Sequence, residues 1–150
     1  MPNFTVNTIQ DTYQRSVVQF LWGGGSAVTP YNLTGSVAAN SLTGWNSSYG
    51  ITSQEVDLGI SKLYWSMPVG STSQSLEMSW GISGSVTGSP AMYLNGNGFV
   101  NFSDSGIKLT HPDVSANRRN TIQFRNVGAL AANDTISVIV EIDKNFGYSK

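Results

Sequence analysis

A two-residue alternation of apolar and polar side chains dominates this sequence. In Gln74–Ile82 one face carries Leu76, Met78, Trp80 and Ile82, and the residues between these are Glu, Ser and Gly. Asp134–Ile142 shows the same pattern with one exception, Ile139. Successive side chains of a β-strand point to opposite faces of the sheet, so this alternation is typical of a strand with one face in a core and the other in water. The chain is therefore predicted to form antiparallel β-structure.

Five further stretches have strand character. Thr121–Val127 repeats the alternation, and Ser16–Trp22 is strongly apolar up to three consecutive glycines. Val56–Trp65 changes phase in its middle, which predicts either a β-bulge or a strand that switches sheets. The two shorter candidates are Gly98–Phe102 and Ile107–Thr110.

The segment that leads into Ser16–Trp22 also permits a helical interpretation. Ile9, Tyr13 and Val17 recur at the spacing of one helix face. We favour a strand, because β-branched and aromatic residues dominate the stretch and these residue types are enriched in strands.

Turn-forming residues are abundant between the strand candidates. Gly, Ser, Thr and Asn make up 62 of the 150 residues, and two Asn-Gly dipeptides at 95–98 suit tight hairpin turns. We therefore predict an all-β, single-domain antiparallel β-sandwich, jelly-roll-like, with about 8–9 short strands. Residues 1–12 form either an N-terminal arm or the first strand, and residues 13–150 form the sandwich domain with a long loop at 23–54.

The composition excludes several classes of site. The chain has no cysteine and one histidine, so we expect no metal site, no cofactor and no disulfide. A net charge of −1 with 11% charged residues argues against a nucleic-acid partner. No apolar run approaches the ~18–20 residues of a membrane helix, and the first residues lack the pattern of a secretory signal. We expect neither a membrane partner nor export.

Catalytic patterns are missing as well. Glu77 and Glu141 fall on the outward phase of their strands, where a solvated side chain is expected, and no spacing supports a pair of carboxylates facing each other across a cleft. His111 precedes a proline and an aspartate, and we interpret it as a polar loop residue rather than a general base. We predict no catalytic residues and no enzymatic activity.

Aromatic residues in the long loop are the best candidates for binding. Tyr31, Trp45 and Tyr49 lie within 23–54. Trp45 and Tyr49 either pin the loop to the body of the domain or to a neighbouring subunit, or they stack on a sugar ring. The first interpretation is favoured, because buried and interfacial aromatic side chains remove a large apolar area from water.

The N-terminal segment offers a second set of candidate contacts. Phe4, Val6 and Ile9 are separated by polar residues, with no long apolar run. Such a segment either adds a strand to the sheet edge of a neighbouring molecule or forms the first strand of its own domain. The sequence does not favour one over the other.

The succession of these segments resembles that of small virion structural proteins of tailed bacteriophages, especially those of marine phages. The resemblance covers residues 13–142 and rests on six landmarks. They are 13–18 (YQRSVV), 60–65 (ISKLYW), 76–80 (LEMSW), 94–98 (LNGNG), 107–109 (IKL) and 134–142 (DTISVIVEI). The segment 23–54 departs from the pattern, so the resemblance assigns no role to that loop.

The resemblance implies a non-enzymatic virion component, in the first place a head decoration (cement) protein. It implies two partners, the major capsid protein and further copies of this chain, with a trimer favoured. It also implies a location on the capsid surface after assembly in the cytoplasm of a bacterial host. The low charge and the many Asn, Ser and Thr residues independently suit hydrogen-bonded interfaces.

Two alternatives stay open at this point. One is a carbohydrate-binding, lectin-like adhesin module with a glycan as partner, and the other is a tail or neck connector protein. The candidate residues for contact with a subunit or the capsid are Phe4, Val6, Ile9, Tyr31, Trp45 and Tyr49.

Overall fold

The computed structural model describes residues 3–12, 14–38, 41–43, 57–67, 75–81, 89–105, 109 and 121–146. Nine strands lie within these ranges: β1 (Thr5–Asp11), β2 (Arg15–Gly23), β3 (Thr34–Ala38), β4 (Asp57–Ser66), β5 (Ser75–Gly81), β6 (Ser89–Asn95), β7 (Asn97–Asn101), β8 (Thr121–Asn126) and β9 (Thr135–Phe146). A four-residue 3-10 helix, Phe102–Ser105, follows β7.

The strands form two antiparallel sheets, one of five strands in the order β1-β2-β9-β4-β7 and one of four in the order β3-β8-β5-β6. The pairings β2–β9, β3–β8, β4–β7 and β5–β6 are nested, so the chain from β2 to β9 is one long hairpin rolled into two sheets. This is the winding of an eight-stranded jelly roll, with β1 added beside β2. The predicted antiparallel β-sandwich is confirmed.

The core lies between the sheets and is built from the inward phase of each alternating strand. Phe20 on β2 and Phe124 on β8 meet across it with 4.8 Å between ring centroids, and both are fully buried. Burying a side chain of this size contributes about 1.5–3 kcal/mol. The central strand β9 adds four buried residues, Ile136, Val138, Val140 and Ile142.

The phase change in the fourth strand is a β-bulge. The register of β4 against β9 slips between Ile60 and Lys62, while β4 pairs only with members of the five-stranded sheet. Ile60 and Leu63 therefore both face the core, although they are three residues apart, and both are fully buried. Of the two alternatives, the bulge is correct and the switch between sheets is not.

Two edge strands of the four-stranded sheet have no clear sequence signal. β3 lies within the long connection 23–54 and pairs with β8. β6 pairs with β5 and contains Pro90, which lacks an N–H group for the ladder and disguises the strand. β3 has only five residues and obtains its position from β8, which is distant in sequence, whereas β6 has seven residues and pairs with β5, the strand before it.

The N-terminal segment belongs to both sheets. β1 pairs with β2 in the five-stranded sheet, whereas Asn3 bridges Thr34 on β3 and the Phe4 N–H donates to the Thr34 carbonyl at 2.9 Å. Phe4 packs edge-on against Phe20 at 6.2 Å between centroids and is 5% exposed. The segment thus closes one side of the sandwich.

The segment that leads into Ser16–Trp22 forms a strand, as favoured, and not a helix, wherever the structure describes it. Ile9 lies in β1 and Val17 in β2, and Tyr13 is outside the described residues. Of the candidate strand Ile107–Thr110, Leu109 alone is described, and it forms an isolated antiparallel bridge with Ile60.

Candidate binding surfaces

Four side chains form a connected row across the outer face of the four-stranded sheet. Arg125 on β8 donates from Nε to Glu77 Oε1 on β5 at 3.0 Å and from Nη2 to Glu77 Oε2 at 3.3 Å. Tyr93 on β6 donates its hydroxyl to Glu77 Oε2 at 3.2 Å. The Arg125 guanidinium lies 4.7 Å from the centroid of the Tyr31 ring. We call these residues, Tyr31, Arg125, Glu77 and Tyr93, the tyrosine row.

The Glu77 side chain is buried, although its position in the strand predicts exposure to solvent. Its outward phase predicts a solvated side chain, yet it is 3% exposed. The strand register places Glu77 opposite Arg125 on one side and Tyr93 on the other, and these two long side chains cover the carboxylate. Two charge-assisted bonds from Arg125 compensate for the water that Glu77 loses. The negative charge also raises the pKa of Tyr93 above 10.0, by Coulomb repulsion and by the hydrogen bond.

The backbone before β3 holds Tyr31 against Arg125. Tyr31 has a φ of 61°, in the left-handed region that bulky side chains rarely adopt. Its N–H donates to the Asn126 carbonyl at 2.9 Å. The buried Asn126 side chain donates to the Thr29 and Gly128 carbonyls and accepts from the Leu33 N–H at 2.8 Å. Asn126 therefore fixes the turn that carries Tyr31.

A pocket of about 350 Å³ lies beside the tyrosine row. It is lined by Asn3, Phe4, Val6, Thr34, Gly35, Ser36, Ser79, Gln123, Phe124 and Arg125. Hydroxyl, amide and guanidinium groups thus meet the apolar side chains of the N-terminal segment. Ser79 is 4% exposed although it lies on the outward phase of β5, so the floor of the pocket is recessed below the surrounding side chains.

The outer face of the five-stranded sheet carries an aromatic pair. Tyr64 on β4 and Phe99 on β7 are paired in register and stack at 4.2 Å between centroids, with 21° between their planes. Both rings are about half exposed, at 47% and 49%. Leu21 on β2 is also exposed on this sheet, so its outward surface is partly apolar.

β1 is an exposed edge strand. Six of its seven residues are exposed and the last, Asp11, is intermediate. Val6 is 39% and Ile9 58% exposed, and the register against β2 is irregular between Thr8 and Gln10. Within the described chain β1 pairs with a strand on one side only.

A buried lysine fixes the end of this edge strand. Lys144 Nζ donates to Asp11 Oδ1 at 2.6 Å and to the carbonyls of Thr12 and Thr43. Asp11 also accepts from Ser16 Oγ at 2.5 Å and from the Thr43 N–H at 2.9 Å. The Lys144 side chain is fully buried, so the cluster joins the β1–β2 turn, β9 and residue 43 of the long connection.

The structure separates the six residues predicted to make contacts. Val6 and Ile9 are exposed on β1, and Tyr31 is 49% exposed in the tyrosine row. Phe4 belongs to the core of its own chain and is not an exposed contact residue, because it fills the space that Gly35 leaves open. Trp45 and Tyr49 lie outside the described residues, as does His111.

Sequence reasoning did not find Glu77, Arg125 and Tyr93 as a site. The alternation places Glu77 and Arg125 on outward phases, which is correct, but 48 positions separate them. Their contact depends on the pairing of β5 with β8, which no local pattern announces. β6, which carries Tyr93, has no clear strand signal.

No protein-family model matches the chain, and no curated protein sequence shows a significant match. Within the described ranges, no group of three or more His, Asp or Glu side chains is placed to hold a metal ion. The helical content of the same ranges includes nothing long and apolar enough to cross a membrane.

Proposed function

We propose that this chain is a non-enzymatic structural protein of a bacteriophage virion, a decoration protein that binds the assembled capsid as a symmetric oligomer and stabilises it. The proposed partners are the major capsid protein and further copies of the chain, with a trimer favoured. The proposed location is the capsid surface, after assembly in the bacterial cytoplasm.

The architecture and the surface chemistry support this proposal. Jelly rolls occur in viral capsid domains and in lectins, although a fold by itself does not define a function. The surface offers few charges and many hydroxyl and amide groups, which suit extended, hydrogen-bonded contacts between many identical copies. The resemblance to phage virion proteins points in the same direction.

The open edge of β1 is the observation that carries the proposal. An edge strand presents unpaired N–H and C=O groups to any further strand that approaches it. β1 adds the exposed apolar side chains of Val6 and Ile9. A strand from a neighbouring molecule placed here gains backbone hydrogen bonds and apolar contacts together.

The two edges of the four-stranded sheet, β3 and β6, are better protected. Pro90 removes one donor from β6, and β3 already receives the Phe4 N–H at the Thr34 carbonyl. β1 contains no Lys, Arg or Pro, and the charge of Asp11 is paired with Lys144. This edge therefore lacks the usual devices against pairing, apart from the irregularity near Ile9.

Point substitutions test this edge better than a deletion. Removing residues 2–10 would also remove the buried Phe4 and open the core. Ile9→Lys instead adds a charge to an exposed position on β1, and Asn95→Lys adds the same charge to an exposed position on the edge strand β6. The free energy of unfolding should change by no more than about 0.5 kcal/mol in either variant.

The readouts are the oligomeric state by light scattering and co-sedimentation with particles of a phage whose genome encodes the chain. We expect the unmodified chain and Asn95→Lys to form the same oligomer and to sediment with particles, and Ile9→Lys to lose both properties. A chain that stays monomeric and never sediments with particles contradicts the proposed function. Unimpaired binding by Ile9→Lys contradicts the role of β1.

A tail or neck connector uses the same edge and differs in location. Antibody labelling of intact particles, viewed by electron microscopy, separates the two. Label distributed over the head supports decoration, whereas label confined to the head–tail junction supports the connector.

A further inference from the structure

We propose that the pocket beside the tyrosine row binds an uncharged saccharide unit. This goes beyond a role in capsid decoration and concerns mainly the outer face of the four-stranded sheet, where Val6 is the one lining residue that also belongs to β1. The pocket lies about Thr34, Ser36, Ser79 and Gln123, with Arg125 at its border.

The size and shape of the pocket suit a small ligand. Its volume of about 350 Å³ lies at the lower end of the range of ~300–1,000 Å³ for small-molecule sites. The recessed Ser79 forms part of its floor, and the N-terminal residues Asn3 and Val6 form part of its wall. The pocket therefore lies where the N-terminal segment meets the four-stranded sheet.

The lining groups match the chemistry of a sugar. The Thr34, Ser36 and Ser79 hydroxyls and the Gln123 amide each combine donor and acceptor capacity. A sugar hydroxyl also donates and accepts, so it pairs with such groups in either direction. Val6 is 39% exposed at the same pocket and offers an apolar surface to the C–H groups of the sugar ring.

The charge of the site favours an uncharged ligand. Arg125 is the one charged residue among those that line the described pocket, and Glu77 pairs with it through two hydrogen bonds. The contacts with Glu77 use two of the five guanidinium N–H donors. Arg125 therefore keeps N–H groups for a neutral oxygen acceptor, while the nearby carboxylate opposes an anion.

The site is organised before a ligand arrives. Glu77 holds Arg125 from one side and the Tyr31 ring packs against its guanidinium, and Asn126 fixes the turn that carries Tyr31. Groups that are already ordered lose less conformational entropy when they bind. The positive φ of Tyr31 is the backbone strain that this arrangement maintains.

Two-dimensional amide NMR of the full chain tests the proposal. The probes are maltose, cellobiose, galactose and N-acetylglucosamine, each titrated separately, with inorganic phosphate as the anionic probe. At least one neutral sugar should shift the amide signals of Ser36, Ser79 and Gln123 in a saturable manner. The signals of Tyr64 and Phe99 on the opposite sheet should not move.

Gln123→Ala should weaken binding of that sugar about tenfold or more, because the site loses an amide that the sugar uses. Gln19→Ala is the matched control, since it removes an outward glutamine from the other sheet and should bind as the unmodified chain does. Ser36→Ala, at an exposed residue, serves as a second variant should the free spectrum of Gln123→Ala show misfolding.

Several results overturn the inference. They are the absence of saturable shifts with all four sugars, equal binding by Gln123→Ala, Ser36→Ala and Gln19→Ala, and tighter binding of phosphate than of any sugar. Pocket signals that shift when the protein alone is concentrated would assign the site to a second copy of this chain. Particle binding through β1 is measured separately by the co-sedimentation assay, whose test residue, Ile9, does not line the pocket.

Discussion

The ammonium group of Lys144 lies 2.6 Å from the carboxylate of Asp11, across 133 positions of the chain. Lys144 is on the last strand and Asp11 on the first, and the lysine also donates to two backbone carbonyls, of Thr12 and Thr43. Because the Lys144 side chain is fully buried, these acceptors replace water as its partners. The contact ties the exposed edge strand β1 to the centre of the fold.

Removing this buried charge should cost much of the stability of the domain. Lys144→Ala removes the cationic partner of the Asp11 carboxylate and the donor to the Thr12 and Thr43 carbonyls, so we expect a loss of about 3 kcal/mol in the free energy of unfolding. Lys62→Ala is the control, because Lys62 is 35% exposed and lies 3.9 Å from Glu141. Its loss should be about 0–1 kcal/mol. Equal losses of the two variants in urea unfolding experiments would show that the buried Lys144 contributes no more to stability than the exposed Lys62.

The same contact makes stability depend on pH. Burial by itself raises the pKa of Asp11, but hydrogen bonds from Lys144, Ser16 and Thr43 together outweigh it and hold the pKa below 3.8. The unfolded chain therefore binds this proton at a higher pH than the folded chain, because the pKa of an unperturbed Asp side chain is about 3.9. The contribution of Asp11 to stability is present at neutral pH and is lost as the pH falls from about 5 through the folded pKa.

Urea unfolding at a series of pH values measures this effect. From about pH 6 to about pH 3 the unmodified chain should lose more stability than Asp11→Asn, which has no carboxyl group to protonate at this position. Parallel losses in the two proteins would mean that other carboxylates produce the acid sensitivity.

Gly98 should not tolerate a larger residue. A Cβ added there would lie 2.1 Å from Trp65 Cζ2, and the Trp65 indole is held by a 3.0 Å hydrogen bond to the Asn95 carbonyl. Gly98→Ala must move a large ring or separate β4 from β7, at a cost of about 1–3 kcal/mol. Gly23→Ala meets nothing within 4 Å and should change the free energy of unfolding by no more than about 0.5 kcal/mol. If Gly98→Ala leaves the midpoint of thermal unfolding unchanged, the close packing of Trp65 on Gly98 is contradicted.

Tyr93 should lose its phenol proton at a higher pH than an unperturbed tyrosine, although the residue is 54% exposed. The charge of Glu77 and the hydrogen bond to it both raise the pKa of Tyr93 above 10.0. An ultraviolet difference titration of the unmodified chain against Tyr93→Phe isolates this phenol. In a Glu77→Gln background the same titration should occur at lower pH, and an unchanged midpoint would argue against the contact.

The alternation of apolar and polar side chains predicted the most regular strands, because this alternation depends only on residues that are close in sequence. It placed strands at β5, β8 and β9 and detected a change of phase in β4, which only the strand register identified as a bulge. β3 and β6 escaped notice since both are edge strands, one short and within a long polar connection, the other containing Pro90. Their positions depend on partners that a local pattern does not reveal.

The candidate sites show the same division. Tyr31 was predicted as a contact residue, and Glu77 and Arg125 were assigned correctly to outward phases. Their association with Tyr93 required the register of three strands, which is set by packing across the whole sheet. Phe4 shows the opposite case, because an apolar residue near the terminus looked available and tertiary packing buried it.

The sequence by itself determined which faces of the strands are apolar, where turns are favoured, and that the chain is all-β. Those properties depend on residues a few positions apart. The tertiary structure decided the nested pairing, the burial of Glu77 and Lys144, and the exposure of β1. In each of these a side chain or backbone edge obtains its partner, or lacks one, through strands that lie far apart in the chain.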